Sequence, residues 1–516
     1  KHGSRLTVSF STKMIGAVGF KGPHNSQPPT ARVRCLAEVA QPCFPSVEAR
    51  GRPWHHGTCP AAGLGVSVLV GCKSLASGAS RRGRQRAAAV TVGRVRLGLR
   101  KDRQPVLRAA AGDAEQVDAF AAMATWLRER GAFVSDAVTA VASDPSASKA
   151  GERGCVASRA IERGELLLEL PLACCVAAAP GLAASLEPLS GCLAAAGIDP
   201  ADAALAIALA EERGLGERSA WWPYVRLVGE PARTFPCFFQ EQDLAGLQSP
   251  PLAESLAAKV SAVEQVASWR GIDRDALLAA WQLMASRRFG CEDGRFMLPL
   301  GDLLNHSFQP SCAWERPEQG GRASWRLTAL SRLDRGDVIN FEYCQDPNHL
   351  LLSTSGFVVS DNPFNRIMAK PSDIRRCLAA VANPSSAADF AQWRAGEIER
   401  QVPDPEEDSP GMSMYVVGRV PGGIQWNPLW LDLCGLAVSI SSDPHWSRQP
   451  GGAEAFCRTV EGASWGLFET AASEDSAAIE RGHLSPNGLL SAQFLLGQKQ
   501  LLEEAVSSLR RRMASA

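Results

Sequence analysis

Two periods of apolar spacing alternate along this chain. "EQVDAFAAMATWLRERGAF" (115–133) repeats its apolar positions every three to four residues, which predicts a helix closing at Gly131. "GERGCVASRAIERGELLLELP" (151–171) holds two short apolar stretches punctuated by glycines, a strand, turn, strand pattern. "ADAALAIALAEER" (201–213) returns to helical spacing, and a helix-rich region follows "SAWWPYVRLV" (219–228) through Arg288. Its clearest helix is "DALLAAWQLMASRRF" (275–289), with Asp275 expected to cap the first turn. Between Gly294 and Phe357 the pattern is again that of strands: "RFMLPLGDLL", "ASWRLTALSRL" and "DVINFEYC".

After Asn362-Pro363 the chain becomes Ala-, Ser- and Glu-rich with helical spacing, interrupted by the acidic, proline-bearing linker "QVPDPEEDSPG" (401–411). The last helix is expected over Ser491–Arg512, where "LRRRM" places positive charge at the negative carboxyl end. No internal repeat is visible. Two strand-rich halves split by helices predict one β-unit carrying an insert, so the fold class is α+β with a helical carboxyl-terminal part.

One stretch breaks the pattern. In "LPLGDLLNHSFQP" (298–310) the apolar run, expected to be a strand over Leu298–Leu304, stops abruptly, and Asp302, Asn305, His306 and Ser307 crowd its end. The chain has only eight histidines. Either this is a strand end with a polar turn, or it is half of a binding site.

Composition narrows the function classes. The 516 residues balance 54 Lys and Arg against 54 Asp and Glu, but residues 1–100 carry 16 of the former and only two acids, Glu38 and Glu48. The remainder therefore holds 38 basic and 52 acidic residues, a mildly acidic body that argues against a nucleic-acid partner. The basic, hydroxyl-rich first 110 residues, with "RRGRQR" at Arg81–Arg86, have the character of an organelle transit peptide; a disordered basic tail is the other reading. No stretch reaches the ~18 apolar residues of a membrane span. Fifteen cysteines without a single C-x-x-C pair speak against a zinc finger and for free buried thiols, so no metal is expected.

The motifs then become specific. "GERGCVASRAIERGELLLELP" resembles the opening of a SET domain, "GDLLNHS" its N-H-S motif, and "INFEYCQDPNHLLLSTSGFV" its closing motif. "SAWWPYVRLVGEPARTFPCFF" resembles the W-x-P-Y segment in the insert of the class named for the Rubisco large-subunit lysine methyltransferase. The likeness covers roughly 151–363 and is weak beyond it. It implies a SET domain at 114–365 made of short sheets with a pseudoknot, a helical insert at about 200–293, and a helical substrate-binding domain at 366–516. The implied activity is methyl transfer from S-adenosyl-L-methionine to a lysine of a non-histone protein. The alternatives are a histidine-directed enzyme, or an inactive SET-like module that binds a partner protein. A hydrolase using Asp302 and His306 lacks any accompanying nucleophile elbow.

The resemblance assigns roles residue by residue. Tyr343, one of three tyrosines, is the candidate catalytic group, its hydroxyl orienting the acceptor amine. Asn305 and His306 would hold the amino-acid moiety and the adenine of the cofactor, and Asp302 stands with them unless it only caps the turn. Glu152, Arg153 and Gly154 lie where the family's backbone nears the cofactor. Arg287 lies where an arginine meets the cofactor carboxylate, and Phe357 would enclose the adenine. Two departures stand out: Cys344 replaces the glycine after the tyrosine, and Ser355 replaces a second tyrosine that lines the amine channel in lysine-modifying relatives. The expected partner is a protein, Rubisco large subunit, plastid aldolase or another plastid protein among the candidates. The expected site is the plastid stroma, with the cytoplasm as alternative, and the expected state is a monomer.

Overall fold

The structure is a computed structural model that describes residues 111–141, 154–232, 235–291, 294–317, 323–382, 413–420, 422–441 and 451–515. The transit-like segment 1–110, Glu152, Arg153 and the acidic linker 401–411 lie outside the described residues.

Helix α1 (Ala111–Glu129) ends where expected, with Gly131 in the left-handed region at φ 84°. The strands β1 (Phe133–Val134), β2 (Val138–Val141), β3 (Gly154–Ala157), β4 (Leu166–Pro171) and β5 (Val176–Ala177) follow. Two short helices come next, α2 (Leu182–Ser185) and α3 (Ser190–Ala195), before the region expected as the insert. That region runs through α4 (Pro200–Leu215), α5 (Trp222–Val228), α6 (Glu241–Ala245), α7 (Pro250–Arg270) and α8 (Arg274–Arg287). Asp199 caps α4 by accepting from the Ala201 N–H, and Pro200 occupies the first helical position, where a missing N–H is harmless. Asp275 does not cap α8. Asp273 does, accepting from the Ala276 N–H at 2.9 Å, while Asp275 pairs with Arg274. The cap falls two residues earlier because Asp273, with ψ 134°, still has the extended backbone that a cap requires.

After the insert come β6 (Arg288–Cys291), β7 (Gly294–Met297), β8 (Asn305–His306), β9 (Cys312–Glu315), β10 (Ser324–Ala329) and β11 (Val338–Phe341). They build three small sheets with the earlier strands: β1-β4-β10-β9, β2-β3-β11-β8 and β5-β7-β6. Within the first, Leu168 pairs with Leu327 and Leu170 with Trp325, all four nearly inaccessible to water. The Phe289 ring is 5.5–5.6 Å from Trp314, Trp325 and Phe341, so one aromatic cluster ties β6, β9, β10 and β11 together. Such pairs add about 0.5–1.5 kcal/mol each beyond their buried area.

The apolar run Leu298–Leu304 is not a strand. After Met297 the chain makes a tight turn and a single 3-10 turn (Gly301–Leu303) before β8 begins at Asn305. Leu298, Leu300 and Leu304 are buried all the same. Pro299 and Gly301 break the strand, Leu300 sits in the left-handed region at φ 67°, and Gly301 lies against the Trp314 ring, where a Cβ would come within 2.7 Å.

Beyond α9 (Asn348–Ser355) the chain forms β12 (Arg366–Ala369), α10 (Pro371–Ala382), β13 (Met414–Val420) and β14 (Gly423–Trp426). Four helices follow: Pro428–Ser441, Gly452–Trp465, Ala472–Arg481 and Pro486–Ser515. This part is helical, as its spacing implies, with one addition: β12, β13 and β14 make a three-stranded antiparallel sheet. It has its own core around Trp430 and Val416. Phe239, Leu247, Leu252 and Leu256 of the insert meet Leu352 of α9 and Leu490 and Phe494 of the last helix in a third apolar cluster. Lys499, fully buried, donates to Asp475 (2.5 Å) and Thr470 (2.6 Å). Among the described residues no single helix is long and apolar enough to cross a membrane.

Candidate active site

The site forms where β8 and β11 run parallel, pairing Asn305 with Asn340 and His306 with Phe341. Parallel strands need a connection that leaves and returns, and here β9 and β10 supply it. Two motifs distant in sequence thereby become neighbours. Just past β11 the Tyr343 backbone N–H donates to His306 Nδ1 at 3.1 Å. The Tyr343 hydroxyl donates to the Leu304 carbonyl at 2.5 Å. Tyr343 is thus held at both ends by the segment that precedes and includes His306.

That geometry fixes the state of the imidazole. Nδ1 accepts, so the ring proton sits on Nε2. Burial pushes the His306 pKa down to about 4, keeping the ring neutral near pH 7. Nε2 is buried and meets no acceptor among the described residues. An unspent buried donor is unfavourable by roughly 1–3 kcal/mol unless a ligand meets it. Around it stand Phe308 (4.4 Å between ring centres), Tyr343 (5.2 Å) and Phe357 (5.8 Å).

Asn305 is half-buried opposite Asn340, whose Oδ1 accepts from the Ser311 N–H at 2.8 Å. The Ser311 hydroxyl in turn accepts from the Asn340 N–H, so a serine and an asparagine outside the motifs stiffen the strand pair. Gly154, buried on β3, lies one residue beyond the Ile339–Cys155 pair. The strand that carries it therefore borders β11.

Arg287 ends α8 and donates from Nη1 to the Asp302 carbonyl at 2.6 Å, while its Nε is buried and meets no acceptor among the described residues. The Asp302 carboxylate is fully buried, 4.0 Å from Arg287 Nη1, and accepts from the Tyr224 hydroxyl at 2.6 Å. Burial and the Asp302 charge drive the Tyr224 pKa well above its ordinary value, so that hydroxyl is a permanent donor. Tyr224 was not among the candidates from the sequence. Its only signal is its place in "WWPY", because its partner lies 78 residues away.

Both departures from the family pattern find room. Cys344 has no positive φ, so the turn after β11 demands no glycine, and burial, with the Asp346 carboxyl nearby, pushes its thiol pKa up. Ser355 ends α9 beside Thr354, with 3.3 Å between hydroxyl oxygens. Gly356 is constrained twice: its φ is 72°, and a Cβ would come within 2.6 Å of the Phe235 ring.

No protein-family model matches the chain. It is 23% identical over 415 residues to the chloroplastic [fructose-bisphosphate aldolase]-lysine N-methyltransferase of Arabidopsis thaliana, covering 73% of this chain and 80% of that protein. Among solved structures, Rubisco LSMT bound to AdoMet superposes with a TM-score of 0.50 at 15% identity, over 77% of this chain and 92% of the other. The SET domain of LSMT bound to MeLysine and AdoHcy gives 0.50 at 16%, with the same coverage. The chain has the fold of a Rubisco-LSMT-like SET protein. In this SET fold the paired β8 and β11 carry the N-H-S and closing motifs, and the insert contributes Tyr224 to the same neighbourhood.

Proposed function

We propose that the protein is an S-adenosylmethionine-dependent protein-lysine N-methyltransferase in which Tyr343 is the catalytic residue. The observation that carries this is the double tether of Tyr343 to Leu304 and His306. The phenol proton goes to the Leu304 carbonyl, and a phenol oxygen in that state can act only as an acceptor toward the N–H of an incoming amine. A lysine must arrive neutral to react, and the aromatic surroundings of Tyr343 disfavour its charged form.

The residues present fit the cofactor. The neutral His306 offers one unspent Nε2–H to an acceptor nitrogen of the adenine, and Phe357 stands beside that ring to enclose an aromatic ligand. Arg287, with its Nε unbonded, supplies positive charge for the cofactor's carboxylate, and Asn305 lies within the same strand pair. S-adenosylmethionine, when bound, supplies the electrophilic methyl. Asp302 acts through Arg287 in this reading, and Gly154 with Glu152 and Arg153 forms the backbone side of the cofactor site.

The substrate is a non-histone plastid protein, with the Rubisco large subunit and aldolase as first candidates, and residues 366–516 present it to the SET domain. Two observations support this reading: the relative that acts on aldolase is chloroplastic, and residues 1–110 are basic and poor in acids. The test is transfer of a labelled methyl group into a plastid extract, with mass spectrometry of the labelled proteins. Methyl-lysine on a stromal protein is expected. Methyl-histidine alone would replace the lysine assignment, and no labelling would remove the enzyme reading.

A further inference from the structure

A cavity lies where the insert, α9 and the carboxyl-terminal region meet. The turn 247–250 between α6 and α7, His349 of α9, Arg366 of β12, and Phe494 and Gln498 of the last helix line it. Its volume is about 30 Å³, room for two water-sized groups, such as the two oxygens of a carboxylate. Arg366 is exposed and forms no ion pair among the described residues, whereas Asp373 beside it is bonded to Arg376 at 3.1 Å and Glu254 to Lys370. The Arg366 stem lies across Gly418 of the paired strand, where a Cβ would come within 2.8 Å of its Cγ. Deeper in, Gln498 is 3% exposed and spends Nε2 on the Asn365 side chain at 3.3 Å, while its Oε1 meets no donor among the described residues. His349 Nδ1 is likewise buried and meets no partner there. Burial and the charges of Arg366 and Lys259 keep that imidazole neutral near pH 7, so its one proton is available to Nδ1.

These groups define an occupant. A guanidinium and an imidazole N–H suit a carboxylate, whereas the Oε1 of Gln498 requires an N–H. A free carboxylate or phosphate meets the first need and leaves the second unmet. An aspartate or glutamate within a peptide meets both, with acid oxygens on its side chain and an N–H on its backbone. We propose that this cavity reads an acidic residue of the protein substrate. The inference rests on the lysine-methyltransferase reading and gives it a substrate class: proteins whose target lysine stands near an aspartate or glutamate. Helix α9 supplies the spacing. His349 lies at its start, and Ser355, the position that lines the amine channel in lysine-modifying relatives, at its end. At 1.5 Å per residue the two are about 9 Å apart along the axis, about three residues of extended peptide. Asp346 also feels the Arg366 charge, but burial raises its carboxyl pKa and so weakens it as a rival.

The test is methyl transfer by the full chain into a plastid extract, with each methylated lysine quantified by mass spectrometry. Lysines labelled by the wild type should carry Asp or Glu within about three to four positions. Arg366→Glu should lower labelling at those lysines about tenfold, the order expected for one charge-assisted hydrogen bond, and raise it at lysines flanked by Lys or Arg. A structural defect lowers every site together and cannot raise any. Where Arg366→Glu folds poorly, Arg366→Gln carries the same test: a loss of about tenfold confined to acid-flanked lysines. Labelled lysines without nearby acids, an unchanged distribution of sites in the variants, or a uniform loss each overturns the proposal and leaves the methyltransferase reading standing. Inhibition by acetate at matched ionic strength, with site preference unaltered by Arg366→Glu, would mean that the cavity takes a free anion, which also overturns it. A folded wild-type chain that labels nothing overturns the function reading and this proposal together.

Discussion

The backbone N–H of Tyr343 donates to Nδ1 of His306, so the proposed catalytic group and the imidazole proposed to meet the cofactor are parts of one hydrogen-bonded unit. His306→Ala removes the acceptor and leaves a buried N–H without a partner. A loss of about 1–3 kcal/mol in folding stability is expected, together with at least tenfold weaker binding of S-adenosylmethionine. Chemical denaturation and calorimetry measure the two separately. Unchanged cofactor affinity would detach His306 from the site.

Tyr343→Phe separates binding from chemistry. The variant loses the bond to Leu304 and the lone pairs offered to the amine, while the ring, the backbone N–H and the contact with His306 remain. Methyl transfer should fall about 100-fold or more, the usual weight of a positioned polar group in the transition state, with cofactor affinity within about threefold. Equal turnover by both proteins would take the catalytic role from Tyr343.

Acid should destabilise the fold through two histidines. Burial brings His306, and burial with the nearby charges of Arg366 and Lys259 brings His349, down to about 4 from an ordinary 6.5. Both folded values lie below the unfolded one, so between about pH 6.5 and 4 the unfolded chain binds protons that the folded chain refuses. Their contribution is fully present above pH 6.5 and is lost as pH falls toward 4, at up to about 1.4 kcal/mol per pH unit for each. Asp346 and Glu342, whose carboxyls are raised by burial, work in the opposite sense. Urea midpoints at pH 5 and 7.5 should therefore converge in His306→Gln and in His349→Gln. Wild-type spacing in both variants would show that neither imidazole is linked to folding.

Gly356 should not tolerate a methyl group. Alanine there meets a left-handed backbone worth about 1–2 kcal/mol and a steric conflict with the Phe235 ring worth about 1–3 kcal/mol. Phe235→Leu in the Gly356→Ala background should recover the steric part and leave the conformational part. No recovery, measured by denaturation, would place the conflict elsewhere.

Lys499 and Asp475 form a buried pair in the carboxyl-terminal region. Lys499→Met strands the Asp475 carboxylate and should destabilise the protein by about 3–5 kcal/mol, whereas Lys499→Met/Asp475→Leu should regain most of that loss. A single variant as stable as wild type would mean that solvent reaches Asp475.

The α+β plan, helices α1, α4 and α8 and the N-H-S and closing motifs themselves were legible in the sequence, because each rests on local spacing or on a recurrent motif; the parallel pairing of the two motifs was not. Leu298–Leu304 misled because its burial is that of a strand while its backbone is bent by Pro299 and Gly301, and burial is what apolar patterns report. Asp275 and Asp273 differ as caps only in backbone conformation, which composition does not encode. The β12–β14 sheet escaped because its strands are short and one of its pairings spans the long stretch between Arg366 and Gly418. Tyr224 escaped for the same reason on a larger scale: nothing local marks a hydroxyl whose carboxylate arrives 78 residues later.

The parallel ladder between β8 and β11 also sets when the site comes into being. It pairs His306 with Phe341, and the hydrogen bond from Tyr343 to His306 beside it spans 37 residues, so the loop between them must close before any contact rewards the closure. The strands that form that loop, β9 and β10, pair with each other, and β10 pairs with β4, where Trp325 meets Leu170 from 155 residues earlier, so the site needs longer closures than its own. A refolding chain should therefore regain its helical signal well before it regains affinity for S-adenosylmethionine, and ligand binding would serve as a clock for these long-range closures.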